Sequence, residues 1–444
     1  MAIQETSLQT VEKRTPILIQ KIRHHFARVP LLGWLISATA AALVEHLIGY
    51  PLAIALGMGT MPSFFGFEIA LSRPQLFPSA ILYVIVVYIL PIALVAWLSA
   101  SLTNRLAGWL LRFPTWVSLA IHLALLYLVL HLWAVLGDYR VLLLKLVLIA
   151  IMTTLSLNVV NGYMGEFSCS HPGFMALGAY SASVMTVLFF VNDSVFGPPL
   201  LPPAIGPYLF PIVLILAGLV ASLGAIIIAV PSFRTRGDYL AIISLAFTFI
   251  VKSFFENLEI VGGPRGFMGQ PDWASLPFVY VVTVLCVLII NNFVNSIFGK
   301  AMNAVRDGET AAEAMTVDTR KTKMTAFLFS AFWAGVAGGL LAHVLRYVNP
   351  ATFGILKLSE VLAMLYLGGL NSVVGSIVGA VGFNILSEML RPLELIKWIV
   401  IAVLVILVMI FRPTGLIAFK ELQIEDLLKP KSQIKEEIHA PSSD

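Results

Sequence analysis

Between Leu157 and Ala182 the sequence reads LNVVNGYMGEFSCSHPGFMALGAYSA, setting Asn158, Asn161, Glu166, Ser168, Ser170 and His171 among Gly162, Gly165, Pro172, Gly173 and Gly178. Such a set offers hydrogen-bond donors and acceptors to a polar solute. Its glycines permit turns and close helix approach. Apolar runs flank it on both sides, so its polar groups require protein partners or water. Two readings follow. One is a broken, pore-lining segment at membrane depth, with a second helix entering near Phe174. The other is a tight turn at the membrane edge whose polar groups bond one another.

A second polar stretch, Gly299–Lys323, reads GKAMNAVRDGETAAEAMTVDTRKTK. Ala301, Ala304, Ala311, Ala312 and Ala314 favour helix, and Gly308 divides the run into two short helices. A small-residue helix rimmed by Arg306, Asp307, Glu309 and Glu313 suits insertion into a cleft on another protein; the alternative is a solvated surface helix. The glycine-rich Glu256–Gly269, ENLEIVGGPRGFMG, reads as a gate, a docking loop for an external partner, or a flexible connector. In Phe233–Leu245, Arg234 and Arg236 beside Asp238 at a helix start suit a cytoplasmic boundary or a partner contact. Glu45, His46, His122, His131, Lys145, Lys252 and Glu360 lie inside apolar segments. Of these, Glu45 and Glu360 are candidates for a proton or substrate path, or for pairing with a neighbouring helix.

No soluble catalytic machinery accompanies these stretches. The sequence contains no GxxxxGK[ST], and Gly299-Lys300 lacks both the upstream glycine and the following Ser or Thr, so no P-loop ATPase site is encoded. Nucleophile elbow, HExxH, CxxC and His/Cys clusters are likewise missing from the 444 residues. The expectation is a protein that is not an enzyme, with no metal or cofactor of its own. Cys169 and Cys286 sit in apolar segments and are expected as buried thiols.

The elements that must position these residues follow from composition. The chain is 59% hydrophobic and 12% charged, with a mean hydropathy of +0.92. Soluble domains are about 45–50% apolar and about 25% charged, which excludes cytosolic enzymes, disulfide scaffolds and nucleic-acid binders. The composition predicts an all-α polytopic membrane protein. Spans of about 20 apolar residues are expected at Pro30–Leu56, Phe77–Ala100, Thr115–Leu136, Val141–Val160, Phe174–Val191, Leu209–Val230, Tyr239–Phe255, Pro277–Asn295, Thr325–Val348 and Leu395–Phe411. Leu358–Phe383 is interrupted by Gly368-Gly369. The N-terminus, Ser101–Pro114, Pro231–Asp238, Ile297–Lys323 and the tail from Arg412 hold 19 of the 28 basic residues, which marks that side as cytoplasmic. The opposite loops hold Arg73, Arg140, Arg265, Arg346 and Lys357. Returning the tail to the cytoplasm favours a split at Gly368-Gly369, for about 10–12 transmembrane or re-entrant helices. Pro16–Val29 reads as a basic amphipathic helix or an unstructured leader, and Glu421–Asp444 as a soluble, partly disordered tail.

At these stretches the sequence resembles the inner-membrane permeases of binding-protein-dependent ABC importers, most closely the branched-chain amino acid permease subunit of the LivM type. The family's early kink pattern, LGLNLLxGYxGQLSLGHAAFxGIGAY, is met at Leu157-Asn158, Gly162-Tyr163, Gly165, Ser168, His171, Phe174 and Gly178-Ala179-Tyr180. RxRGxYxAIxTL is met at Arg234, Arg236-Gly237, Tyr239, Ala241-Ile242 and Leu245, and TGGxxG at Gly262-Gly263 and Gly266. GRAxxAIRDNExAAxxxGI is met at Gly299, Ala301, Ala304, Arg306-Asp307, Glu309 and Ala311-Ala312. Lys323, Ser330, Gly335, Gly338-Gly339, Gly368-Gly369, Gly375 and Arg412-Pro413-Thr414-Gly415-Leu416 continue it. Glu166 replaces the family's Gln, Ser170 its Gly, Pro172 its Ala, Val261 its Thr and Thr316 its Gly.

The resemblance covers about Val141–Phe419 and implies a permease core over 141–419; hydropathy and charge add a cytoplasmic tail (1–29) and extra membrane helices (30–140) before it and a cytoplasmic tail (420–444) after it. It implies a coupling region for a cytoplasmic ATPase at Gly299, Ala304, Arg306, Asp307, Glu309, Ala311 and Ala312, within a loop spanning 299–323. A polar solute needs an aqueous path, expected along Asn158, Gly162, Gly165, Ser168, His171, Phe174, Gly178, Gly262, Gly263 and Gly266, with a cytoplasmic boundary at Arg236, Gly237, Asp238 and Tyr239. The expected partners are two ATPase subunits carrying ATP-Mg, a homologous second permease, an extracytoplasmic binding protein and the lipid bilayer, with no nucleic acid. The expected solute is a branched-chain or other small amino acid, with urea or a related amide second. The rival from another class is a proton-coupled secondary transporter using Glu45, Glu360 or Lys145.

Overall fold

The computed structural model describes residues 26–62, 66–193, 195–233, 239–394, 396–412, 414–417 and 421–431. Most of Pro16–Val29 lies outside the described residues, as do Arg234, Arg236, Gly237, Asp238 and Pro413. Among the described residues the fold is helical, with a single two-residue strand pair. Among the described residues, nine helices are long and apolar enough to cross a membrane: α1 (Leu31–Ala55), α3 (Pro74–Leu110), α4 (Thr115–Ala134), α5 (Asp138–Tyr163), α6 (His171–Phe190), α7 (Pro203–Ser232), α8 (Tyr239–Glu256), α9 (Leu276–Asn295) and α12 (Thr319–Leu345). A short α2 (Phe67–Ser72) precedes α3, and α10 (Ile297–Asp307) and α11 (Glu309–Ala314) precede α12. The glycine-interrupted stretch forms α13 (Ile355–Gly368) and α14 (Val373–Met389), divided where expected, and α15 (Ile396–Phe411) follows.

Several helices start before the hydropathy reading, α3 at Pro74 and α7 at Pro203 among them. α12 begins at Thr319, not Thr325, because Asp318 caps it by accepting from Lys321 N at 2.9 Å. A side-chain cap of this kind satisfies one of the first-turn donors that a helix leaves unpaired. Arg320, Lys321 and Lys323 are therefore helical. α6 begins at His171, not Phe174, with Pro172 in its first turn, where a missing N–H costs nothing. Arg140 lies in the first turn of α5 and is 4% exposed, so it is a buried helical charge and not a loop residue.

The chain divides into two units, Met1–Arg140 with Gln423–Asp444, and Val141–Leu422. In the first, α1 packs on α3 and α4. α3 contains a π-helical turn at Ile85–Ile89. Glu45 of α1, fully buried, pairs with Arg140 at 2.8 Å and accepts from Tyr83 at 3.3 Å. Arg140 also donates to Pro62 O at 2.6 Å and lies over the Trp133 ring. The tail carries a short helix, α16 (Ile424–Leu428), whose Leu428 is buried and lines a crevice together with Leu110, Phe113 and Ser118. Within the tail expected to be partly disordered, Ile424–Leu428 is thus helical, and its Leu428 is buried.

In the second unit α6, α7 and α12 form a tight trio. A Cβ on Gly178 would overlap the backbone of Gly335, and one on Gly338 the backbone of Met175. Small residues here let helix backbones touch, the contact that drives helix association where lipid removes the hydrophobic contrast. Cys169 and Cys286 are buried.

Candidate translocation and coupling site

The break between α5 and α6 is built by local sequence. α5 ends in a π-helical turn, Val159–Tyr163, a widening often found at functional sites. Gly165 follows at φ +77°, a conformation that costs a side chain about 1–2 kcal/mol. Pro172 then starts α6.

The polar residues of the break are buried and joined to surrounding helices. Asn161 Oδ1 accepts from Ser168 N at 3.1 Å, and Ser168 and Ser170 share a hydroxyl bond of 2.8 Å. The Cys169 peptide is held from α8, accepting from Thr248 and donating to Ser244, both at 2.8 Å. Ser330 of α12 donates to Ser156 O at 2.6 Å and lies 3.0 Å from His171 Nε2. With the Ser330 proton committed to Ser156, His171 must donate through Nε2. Asn158 Nδ2 reaches Ser372 O at 3.0 Å and Ser376 Oγ at 2.7 Å, while its Oδ1 accepts from Asn371 N at 3.1 Å. The two glycine-rich interruptions of the chain therefore meet at Asn158.

Among buried side-chain atoms described between 157 and 182, Asn161 Nδ2 and His171 Nδ1 have no protein partner. They leave one donor and one acceptor for water or a solute. Phe174 packs edge-on among His171, Phe247 and Phe327, and Gly178 serves the helix contact with Gly335. These two are packing residues. Ser244, Thr248, Ser372 and Ser376 join the site from distant sequence; their only sequence signal is a hydroxyl in an otherwise apolar or glycine-rich run.

The second stretch docks on the same break. α10 and α11 turn at Gly308, and Met302, Val305 and Ala312 are buried. Gly299 lies against the Val294 carbonyl. The Arg306 stem packs on Gly165, and its guanidinium is 3.4 Å from Gly162 O and 2.9 Å from Asp307. Lys323 bridges Glu166 at 2.6 Å and Glu309 at 2.9 Å. Arg306 and Ala312 thus face inward at least in part, while Ala304, Asp307, Glu309, Ala311 and Met315 are exposed.

α11 ends in a Schellman motif, with Val317 N bonding Ala312 O and Thr316 N bonding Glu313 O. Its left-handed position, normally Gly, is Thr316 at φ +66°. This explains physically why the resembling pattern has Gly there.

The Gly262, Gly263 and Gly266 loop sits by the far end of α12, which at about 1.5 Å per residue extends roughly 40 Å. All three glycines have positive φ. Phe267–Met268 pairs antiparallel with Tyr347–Val348, and Tyr347 donates to Arg265 O at 2.8 Å. Backbone pairing of this kind makes it an ordered element and not a flexible connector. Tyr239, at the start of α8, is exposed. Of the ionisable residues in apolar segments, Glu45 is committed to Arg140, and Glu360 pairs with Lys357 at 2.9 Å.

Residues 139–411 match the family described as branched-chain amino acid transport system / permease component. The chain belongs to this family. The permease is 30% identical over 315 residues to the high-affinity branched-chain amino acid transport system permease protein LivM of Escherichia coli K12, covering 63% of this chain and 70% of the relative. LivM of Salmonella typhimurium is 30% identical over 313 residues, with the same coverage. A probable branched-chain amino acid transport permease protein LivH of Methanocaldococcus jannaschii is 27% identical over 257 residues, covering 54% of this chain and 74% of the relative. No solved structure matches the chain. The permease is a multi-pass transport subunit of the membrane, and the two polar stretches form its candidate machinery.

Proposed function

We propose that the permease is the membrane-spanning subunit of an ATP-driven, binding-protein-dependent importer of branched-chain or other small amino acids. The supporting observation is the helical pair α10–α11, seated on the α5–α6 break in a sequence that carries no P-loop of its own. Its exposed face, Ala304, Asp307, Ala311 and Met315, would enter a cleft on a cytoplasmic ATPase subunit. The termini and the Ile297–Asp318 segment would lie in the cytoplasm, where the basic residues concentrate. The Gly262–Gly266 loop would face the opposite side and meet a solute-binding protein. A second permease would complete the membrane pair. The solute follows from the names of the relatives, with urea or a related amide the second choice.

Uptake in energised vesicles with the partner subunits tests this reading. Vanadate should abolish leucine uptake, and an uncoupler should leave it intact while ATP is maintained. Collapse by the uncoupler would favour a proton-coupled carrier. Glu309→Lys places a cation beside Lys323 at the docking edge. It should lower uptake per ATP hydrolysed at least about fivefold while the protein stays inserted; normal uptake by that variant would count against the coupling assignment.

A further inference from the structure

We infer that Lys323, Glu166 and Arg306 form a two-point clamp that carries movement of the coupling helices into the α5–α6 break. The inference rests on the importer reading above and gives that site its transmission contact.

The first point is Lys323, on the opening turns of α12. Its ammonium reaches Glu166 in the break and Glu309 at the head of α11. One Lys has three donors and can satisfy two carboxylates at once. The Lys323 side chain is 13% exposed and that of Glu166 24%, so water competes only weakly for this pair. The second point is Arg306 at the end of α10. Its stem occupies the space over Gly165 where any other residue would carry a Cβ, and its guanidinium meets Gly162 O at 3.4 Å.

Both points fall on five residues, Gly162 to Glu166, and on no other part of the break. From there hydrogen bonds run on to α8 through the Cys169 peptide and to α13–α14 through Asn158. A displacement of α10–α11 must move 162–166 or break these contacts. A surface ion pair between elements that already pack would have no such route. Glu166, where the resembling pattern has Gln, makes the first point ionic. A Gln there can still accept from Lys323, so the conservative change should be mild.

The test uses the complete importer, with solute transported per ATP hydrolysed as the readout. Glu166→Gln should stay within about threefold of the unmodified complex. Glu166→Lys should lose at least about fivefold, the lower end of ordinary coupling factors. The triple change Glu166→Lys, Lys323→Glu and Glu309→Gln rebuilds a bonded bridge of reversed polarity and should recover most of the loss, as a merely structural defect would not. A ratio unchanged in Glu166→Lys overturns the clamp, and so does a triple variant that assembles but shows no recovery. If Glu166→Lys fails to assemble, the triple variant decides alone. Absence of vanadate-sensitive uptake in the unmodified complex instead removes the importer reading, and the clamp with it.

Discussion

In the core unit the apolar windows of Asp138–Tyr163, Thr319–Leu345 and His171–Phe190 are 89%, 72% and 67% buried within the protein, and those of α7, α8 and α9 are 50%, 33% and 39% buried. In the N-terminal unit the windows of Leu31–Ala55, Pro74–Leu110 and Thr115–Ala134 are 44%, 22% and 17% buried. Both units are made of the same Leu, Ile, Val and Ala. Glycines bring α6, α7 and α12 of the core into backbone contact. The N-terminal unit has fewer such contacts and leaves Leu47, Leu98 and Trp116 facing outward. It relies instead on one buried polar knot, Glu45 with Arg140 and Tyr83. Apolar side chains do not discriminate between lipid and protein, so helices in a bilayer need either close shape or a polar tie to choose partners. The two units show each solution, and three predictions press on the difference.

The largest effect is expected at the polar knot. Glu45→Ala or Arg140→Ala strands a buried charge and should destabilise the purified protein by about 3–5 kcal/mol. Replacing both by Met should recover most of that, since a buried pair costs desolvation that an apolar pair does not. Thermal unfolding in detergent checks both. Equal losses in the single and double variants would mean that the knot does more than hold helices.

Next, the same substitution should have opposite signs in the two units. Gly338→Ala drives a Cβ into the Met175 backbone and should cost about 1–3 kcal/mol through overpacking. Gly108→Ala in α3 meets nothing within 4 Å and should gain up to about 1 kcal/mol from helix propensity. A melting shift of the same sign in both would erase the contrast.

The smallest effect is expected at Thr316. Thr316→Gly relieves a β-branched residue in the left-handed region and should stabilise α11 by about 1 kcal/mol. Slower amide exchange over Glu309–Val317 reports it. Unchanged exchange would show that the surrounding packing, and not the turn, sets the stability of this segment.

Much of this was readable from composition alone, because it depends on local chemistry. Runs of apolar residues place Thr115–Ala134 and Leu276–Asn295 within a residue or two of their observed ends. Gly368-Gly369 divides α13 from α14, and Gly308 divides α10 from α11. Ordered motifs identify the break and the coupling stretch as the places that matter. Helix starts are less legible, since Asp318 draws α12 back into a charged stretch that hydropathy assigns to a loop. The partners of polar groups are not legible. Nothing in the sequence joins Glu45 to Arg140, Asn158 to Ser376, or Glu166 to Lys323, which lie 95, 218 and 157 residues apart.

The sequence by itself determined that this chain spans a membrane many times, where its helices are interrupted and which two stretches carry its polar chemistry. Each of these follows from the cost of exposing peptide or charge to hydrocarbon, paid residue by residue along the chain. Only the tertiary structure decided that the break and the coupling stretch are one site. Their union depends on how α12 packs beside α5 and α6, which brings Lys323 to Glu166 and Ser330 to His171. Side-chain pairing is a property of helix packing, and packing emerges only when every face has found its neighbour.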